Sequence, residues 1–184
     1  MESYLSSVKK QFQYYKSLAD KAMTQISDVQ LDWQPNEASN SIAIIVKHMV
    51  GNMLSRWTDF LTSDGEKPWR NRESEFEGGY PSREAMLEHW ERGWKCLFDA
   101  LESLTETDLE RIIYIRNEGH TVMEAINRQL AHYPYHVGQI VYLARLQANE
   151  DWKSLSIPKG GSEVYNADKF AQEKAQKHFT DGMK

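Results

Sequence analysis

The chain of 184 residues is poor in cysteine, with Cys96 as its single thiol. One cysteine excludes an internal disulfide framework and fits a reducing cytoplasm. In a helical pattern between Lys95 and Leu97, it reads as a small, partly buried apolar residue rather than a nucleophile. Also missing is any block of positive charge. The 22 Lys and Arg are dispersed among 27 Asp and Glu, for a formal net charge of −5. Nucleic acid and anionic membrane surfaces both require a concentrated basic patch, so neither is an expected partner. No apolar run approaches the ~20 residues needed to cross a bilayer. Met1-Glu-Ser-Tyr-Leu5 lacks the cationic, apolar, small-residue order of a signal peptide. A cytoplasmic protein without a membrane span is the expectation. Internal repeats and low-complexity segments are absent.

Apolar residues make up 40% of the chain, enough for one well-buried domain. Four long segments carry helical periodicity. The first runs from about Ser3 to Ile26, with Leu5, Val8, Phe12, Tyr15, Leu18, Ala22 and Ile26 at spacings of three or four. A second, from Ser41 to Leu61, places Ile45, Met49, Met53 and Phe60 on one stripe. Ile44, His48, Asn52 and Ser55 fall on the next. A third follows Pro81, with Ser82 as N-cap, and ends near Leu104. The fourth opens on the capping box Thr121-x-x-Glu124 and continues to about Gln147. Pro134 lies inside it; the periodicity persists on both sides, which predicts a kink rather than a break. Tyr133, Tyr135, Trp57 and Trp90 sit at helical spacing and read as core. The pattern predicts an all-α fold, a four-helix bundle over residues 1–150. Between helices two and three lies a long loop, residues 64–80, rich enough in aromatics to pack. A small hairpin is expected before helix four, from Ile112-Ile-Tyr-Ile115 and a turn at Asn117-Glu-Gly119. Residues 151–184 form a charged, partly helical extension that packs on the bundle or on a partner chain.

The segment His132-Tyr-Pro-Tyr-His136 sets two histidines one turn apart on one helix face. That spacing lets two imidazoles reach a single ion. His48, on the second helix, is the candidate third ligand. Three neutral imidazoles around a divalent metal leave a coordination position for water or substrate, as catalytic sites do. Asn52 and Gln139 each share a face with a candidate ligand, four and three residues away. Either is placed to bond an imidazole's other nitrogen or a substrate. Arg56, Arg70 and Arg72 are candidates for holding a substrate carboxylate, although each taken singly reads first as an ordinary surface or loop-anchoring arginine. His89 is a weaker candidate for supporting the site, and His120 and His178 read as solvated. A ferritin-like di-iron site is excluded, because Gln129 and Tyr133 stand where Glu-x-x-His pairs would need glutamate.

Ser41-Ile-Ala-Ile-Ile-Val-Lys-His48-Met-Val-Gly-Asn52, then Arg56-Trp57, then His132-x-x-x-His136-Val-Gly-Gln139-Ile together resemble the DinB-like superfamily. The resemblance extends over about Met1 to Ala148. The superfamily includes bacillithiol and mycothiol S-transferases, and the loop from Lys67 to Phe76 is typical of an uncharacterised branch. The resemblance implies a four-helix bundle, a divalent metal held by His48, His132 and His136, and a homodimer. It does not imply a substrate, because substrate-contacting residues vary among these proteins.

The leading functional expectation is a thiol S-transferase-type enzyme. An open Zn or Ni position would take a small-molecule thiol, which then attacks an electrophile. A metal-dependent hydrolase is the alternative, though no residue of the sequence stands out as its general base. A non-catalytic, stress-related dimeric bundle is the third reading.

Overall fold

The computed structural model describes residues 3–182, and the fold is mostly helical with one small hairpin. In chain order the elements are α1 (Tyr4–Met23), α2 (Asp28–Leu31), α3 (Ile42–Trp57), α4 (Arg83–Glu102), β1 (Ile112–Ile115), β2 (Glu118–Thr121), α5 (Val122–Ala148) and α6 (Ser162–Phe170). Side-chain caps start the four long helices. Ser3, Ser41, Ser82 and Thr121 each accept a hydrogen bond from a backbone N–H three residues on. Glu124 completes the capping box on α5.

The long helices pair around a common core: α3 packs on α4 and α5, and α1 packs on α5 and α4. Trp90, Trp94, Tyr133 and Phe12 fill that core and are almost wholly buried. Gly93 lets α4 approach α3 closely, since a Cβ there would stand 3.1 Å from the Val50 methyls. α5 runs 27 residues without interruption through Pro134. Tyr135 is a correction to the expected core: it is 63% exposed, because it lies two residues from both Tyr133 and Val137 and so on roughly the opposite side of the helix.

Two further boundaries differ from expectation. α3 stops at Trp57 rather than Leu61 because Thr58 turns extended and Asp59 takes a φ of 48°. The Asp59 carbonyl then accepts from the amides of Thr62 and Ser63, which closes a turn in place of another helical one. The hairpin exists, with Ile112 opposite Thr121 and Ile115 opposite Glu118. Its turn lies at Arg116-Asn117, not at Asn117-Glu-Gly119, so Glu118 and Gly119 belong to β2. Arg116 and Asn117 both have positive φ, 57° and 62°, the signature of a two-residue type I′ turn. The Asp64 carboxylate accepts from both of their amides, at 2.8 and 2.9 Å. A contact made 52 residues upstream thus holds the turn.

In the C-terminal segment, α6 has no buried residue. Residues beyond it return to α1: His178 bonds Ser7 Oγ at 3.0 Å, Lys10 pairs with Asp181, and Phe179 meets Tyr14 edge-on. His178 is therefore partnered and half-buried rather than solvated. His120 is likewise half-buried, in β2, and its Nε2 is enclosed without a partner among the described residues.

Candidate metal centre

α3 and α5 face each other with His48 on one and His132 and His136 on the other. One ring nitrogen from each of the three lies within 4.8 Å of the others. His48 is buried, and the two α5 histidines are half-buried. The four-residue spacing on α5 brings the His132 and His136 Nε2 atoms 3.1 Å apart.

The outer nitrogen of each ring is engaged. His48 Nδ1 donates to Glu75 Oε2 at 2.9 Å, His132 Nδ1 to Gln129 Oε1 at 3.1 Å, and His136 Nδ1 to Gln139 Oε1 at 2.9 Å. A neutral imidazole carries one proton, so a proton held on Nδ1 leaves Nε2 as a bare lone pair. Two such lone pairs facing at 3.1 Å repel unless a cation lies between them. Metal–nitrogen bonds of about 2.0–2.1 Å put adjacent ligand nitrogens roughly 3–3.4 Å apart, so the separation suits a shared ion. Burial, then the neighbouring His136, His48 and Arg56, push the His132 pKa down to about 3. That of His136 is lowered by burial and His48, against the opposing hydrogen bond to Gln139. Both rings are thus kept in the neutral form that binds metal. This donor set could hold one metal ion.

Glu75 is the piece that sequence reasoning missed. It comes from the long loop, in a short 3-10 turn spanning Glu73–Phe76, and is buried. Arg70, whose side chain is only 2% exposed, grips its carboxylate through two hydrogen bonds, Nε to Oε1 at 2.7 Å and Nη2 to Oε2 at 3.0 Å. Burial alone would raise the Glu75 pKa. The bonds from His48 and Arg70, with the Arg70 charge, reverse this and hold it below the ordinary carboxylate range. Phe76 stacks on the His48 ring at 5.1 Å, and the Arg72 guanidinium lies over Phe76. The loop is pinned to α3 elsewhere too: Ser55 Oγ donates to the Gly65 carbonyl, Lys67 N donates to Ser55 Oγ, and Lys47 Nζ reaches the Glu77 carbonyl. A sequence signal for this docking existed in Gly51. Glycine is unfavourable inside a helix, and a Cβ here would lie 2.2 Å from Glu75 Oε1.

The other candidates are placed as follows. Gln139 bonds His136 and also lines a cavity of about 370 Å³ with Ile45 and Tyr142. Asn52 bonds no imidazole; its Oδ1 accepts from the buried Tyr133 hydroxyl, which in turn accepts from Trp57 Nε1. Arg56 is buried and anchors the loop through the Gly65 carbonyl and Glu66, rather than standing free for substrate. Arg70 is committed to Glu75 and Glu66, and Arg72 is exposed. His89 bonds the Tyr80 hydroxyl and stays outside the histidine group. Gln129, whose presence argued against a di-iron site, proves to be the acceptor for His132. A cavity of about 640 Å³ around Cys96 and Arg92 includes none of the three histidines. Burial raises the Cys96 pKa, which disfavours a reactive thiolate there.

Fold and site together define a helical protein whose two facing helices present a three-histidine group suited to a divalent metal. The chain belongs to the family described as "Protein of unknown function (DUF1572)", which it matches over residues 1–161. The match stops at Gly161, just before α6. No curated protein matches the chain. Among the described residues no helix is long and apolar enough to cross a membrane.

Proposed function

We propose that the chain is a DinB-like four-helix bundle that binds one divalent metal, zinc or nickel, through His48, His132 and His136, and acts as a thiol S-transferase-type enzyme. The observation that carries this reading is the facing pair of Nε2 lone pairs, with every outer nitrogen already bonded to an oxygen. Bound there, the ion supplies a Lewis-acidic position that favours the thiolate form of a small thiol. The protein's own contribution is orientation. Gln129, Gln139 and Glu75 fix the three rings, and Tyr133, Trp57 and Asn52 hold α3 against α5 through a buried hydrogen-bond chain. In that step the S–H bond would give way to an S–C bond while the carbon–halogen bond, the epoxide C–O bond or the enone C=C π bond breaks. Its electron pair would go to the departing halide or to the substrate's oxygen, and the thiol proton to that oxygen or to water.

Thiol transfer is favoured over hydrolysis by the carboxylates. Hydrolysis at a metal requires a base beside the activated water. Glu75 is the buried acidic residue among those described, and both its oxygens are committed to Arg70 and to the outer nitrogen of His48. The test is consumption of small thiols with epoxide, halide and enone electrophiles by zinc- or nickel-loaded protein, with His132→Ala as control. Turnover lost in that variant is expected. Full metal occupancy without turnover across the panel would contradict the assignment.

A further inference from the structure

The three histidines are not held alike. The acceptors for His132 and His136 are neutral amides, both on α5 itself, three residues away in sequence. The acceptor for His48 is a carboxylate delivered from 27 residues away by the loop between α3 and α4. An ionised acceptor on Nδ1 makes the opposite nitrogen a stronger donor than an amide does, and it fixes the ring more firmly. Two features accommodate this carboxylate at some cost. Arg70 is buried to receive Glu75 in a two-bonded grip, and α3 carries a glycine in its interior where any side chain would collide with Glu75 Oε1. Neither a buried ion pair nor a mid-helix glycine stabilises a fold by itself as well as apolar residues would. Their common product is a carboxylate held against the outer nitrogen of His48.

We infer that Glu75 is a positioning residue for the metal site, which makes His48 the strongest of the three ligands, and that Gly51 is there to admit it. The inference rests on the metal-binding reading proposed above and names a part of the site that lies outside the histidine motif. The loop accordingly serves as a component of the site as well as a connection.

The test compares tag-free wild type with Glu75→Gln, which keeps shape but removes charge, and with Gly51→Ala, which leaves Glu75 chemically intact but displaces it. Zinc affinity is measured by competition with a chelating indicator. Ring tautomers are read in metal-free protein from nitrogen–proton correlation spectra, and thermal midpoints check the fold. The expected result is a zinc affinity lower by about 10–100-fold in both variants. In metal-free wild type the proton sits on His48 Nδ1; Gly51→Ala alters this signature, Glu75→Gln retains it because an amide oxygen still accepts, and those of His132 and His136 persist in both. A purely structural Glu75 would lower the midpoint and leave affinity and tautomer unchanged. Wild-type affinity in both variants, or a wild-type His48 protonated on Nε2, would overturn the inference and leave the metal site standing. A wild type that binds no zinc overturns the proposed function and this inference together.

Discussion

Two long stretches of this chain lie outside the four long helices, and they behave in opposite ways. The segment between α3 and α4 is drawn onto α3 through buried charge: the side chains of Arg70 and Glu75 are almost fully enclosed, and Ser55, Lys47 and Arg56 of α3 fasten the backbone around them. The segment after α5 displays its helix. Val164 and Phe170 are 77% and 86% exposed, although the segment's start packs Trp152 and Leu155 on the core and its end touches α1 through polar and aromatic contacts. Burying charge is costly, and the first segment does so where it completes the histidine group. The second, whose residues beyond Gly161 lie outside the family match, contributes nothing to the histidine group. The difference teaches that loop length alone does not mark function; buried, paired charge next to a candidate site does.

The contrast can be broken most forcefully at Arg70. Arg70→Ala leaves the Glu75 carboxylate buried without its cation, which costs about 3–5 kcal/mol. Urea titration of metal-free protein should show a markedly lower midpoint; an unchanged one would mean that the loop is not docked through this pair. Ser55→Ala, which removes the hydroxyl that joins the Gly65 carbonyl to the Lys67 amide, should cost about 1–3 kcal/mol by the same measurement.

A third prediction concerns pH. The folded His132 pKa lies at about 3, below the ordinary 6.5, so the unfolded chain takes up this proton first as pH falls. Metal-free protein should hold a level contribution from this group above pH 6.5 and lose stability progressively below it, towards pH 3. Glu75, whose folded pKa is also lowered, adds a loss in the acidic part of that range. Denaturant midpoints between pH 7.5 and 4 check the sign, and His132→Phe should flatten the slope. The smallest effect belongs to the other segment: Phe170→Ser should alter the stability by no more than about 0.5 kcal/mol. A larger loss would show that α6 is covered in solution.

How far the sequence could be read follows from the range of the interactions. Local periodicity and caps locate α1, α3, α4 and α5 to within a few residues, because Ser3, Ser41, Ser82 and Thr121 act through amides three positions away. His132, His136 and Gln139 were legible for the same reason, since helical geometry alone sets their mutual placement. What failed depends on distant partners. The hairpin turn is fixed by Asp64, and Asn52 turns to Tyr133 rather than to an imidazole. Tyr135 faces away from the side that buries Tyr133, since a crowded aromatic stretch does not itself mark which face is buried. Glu75 sits in a loop without periodicity, so only the glycine at position 51 hinted at what docks there.

The central claim is that the three histidines exist to hold a metal, and elemental analysis of tag-free protein tests it most directly. Wild type, His48→Ala and His132→Ala would be purified side by side and reloaded with zinc or nickel. The account predicts about one equivalent of divalent metal in wild type and its loss in both variants. Wild type that retains no metal after reloading, or variants that retain as much as wild type, would contradict it.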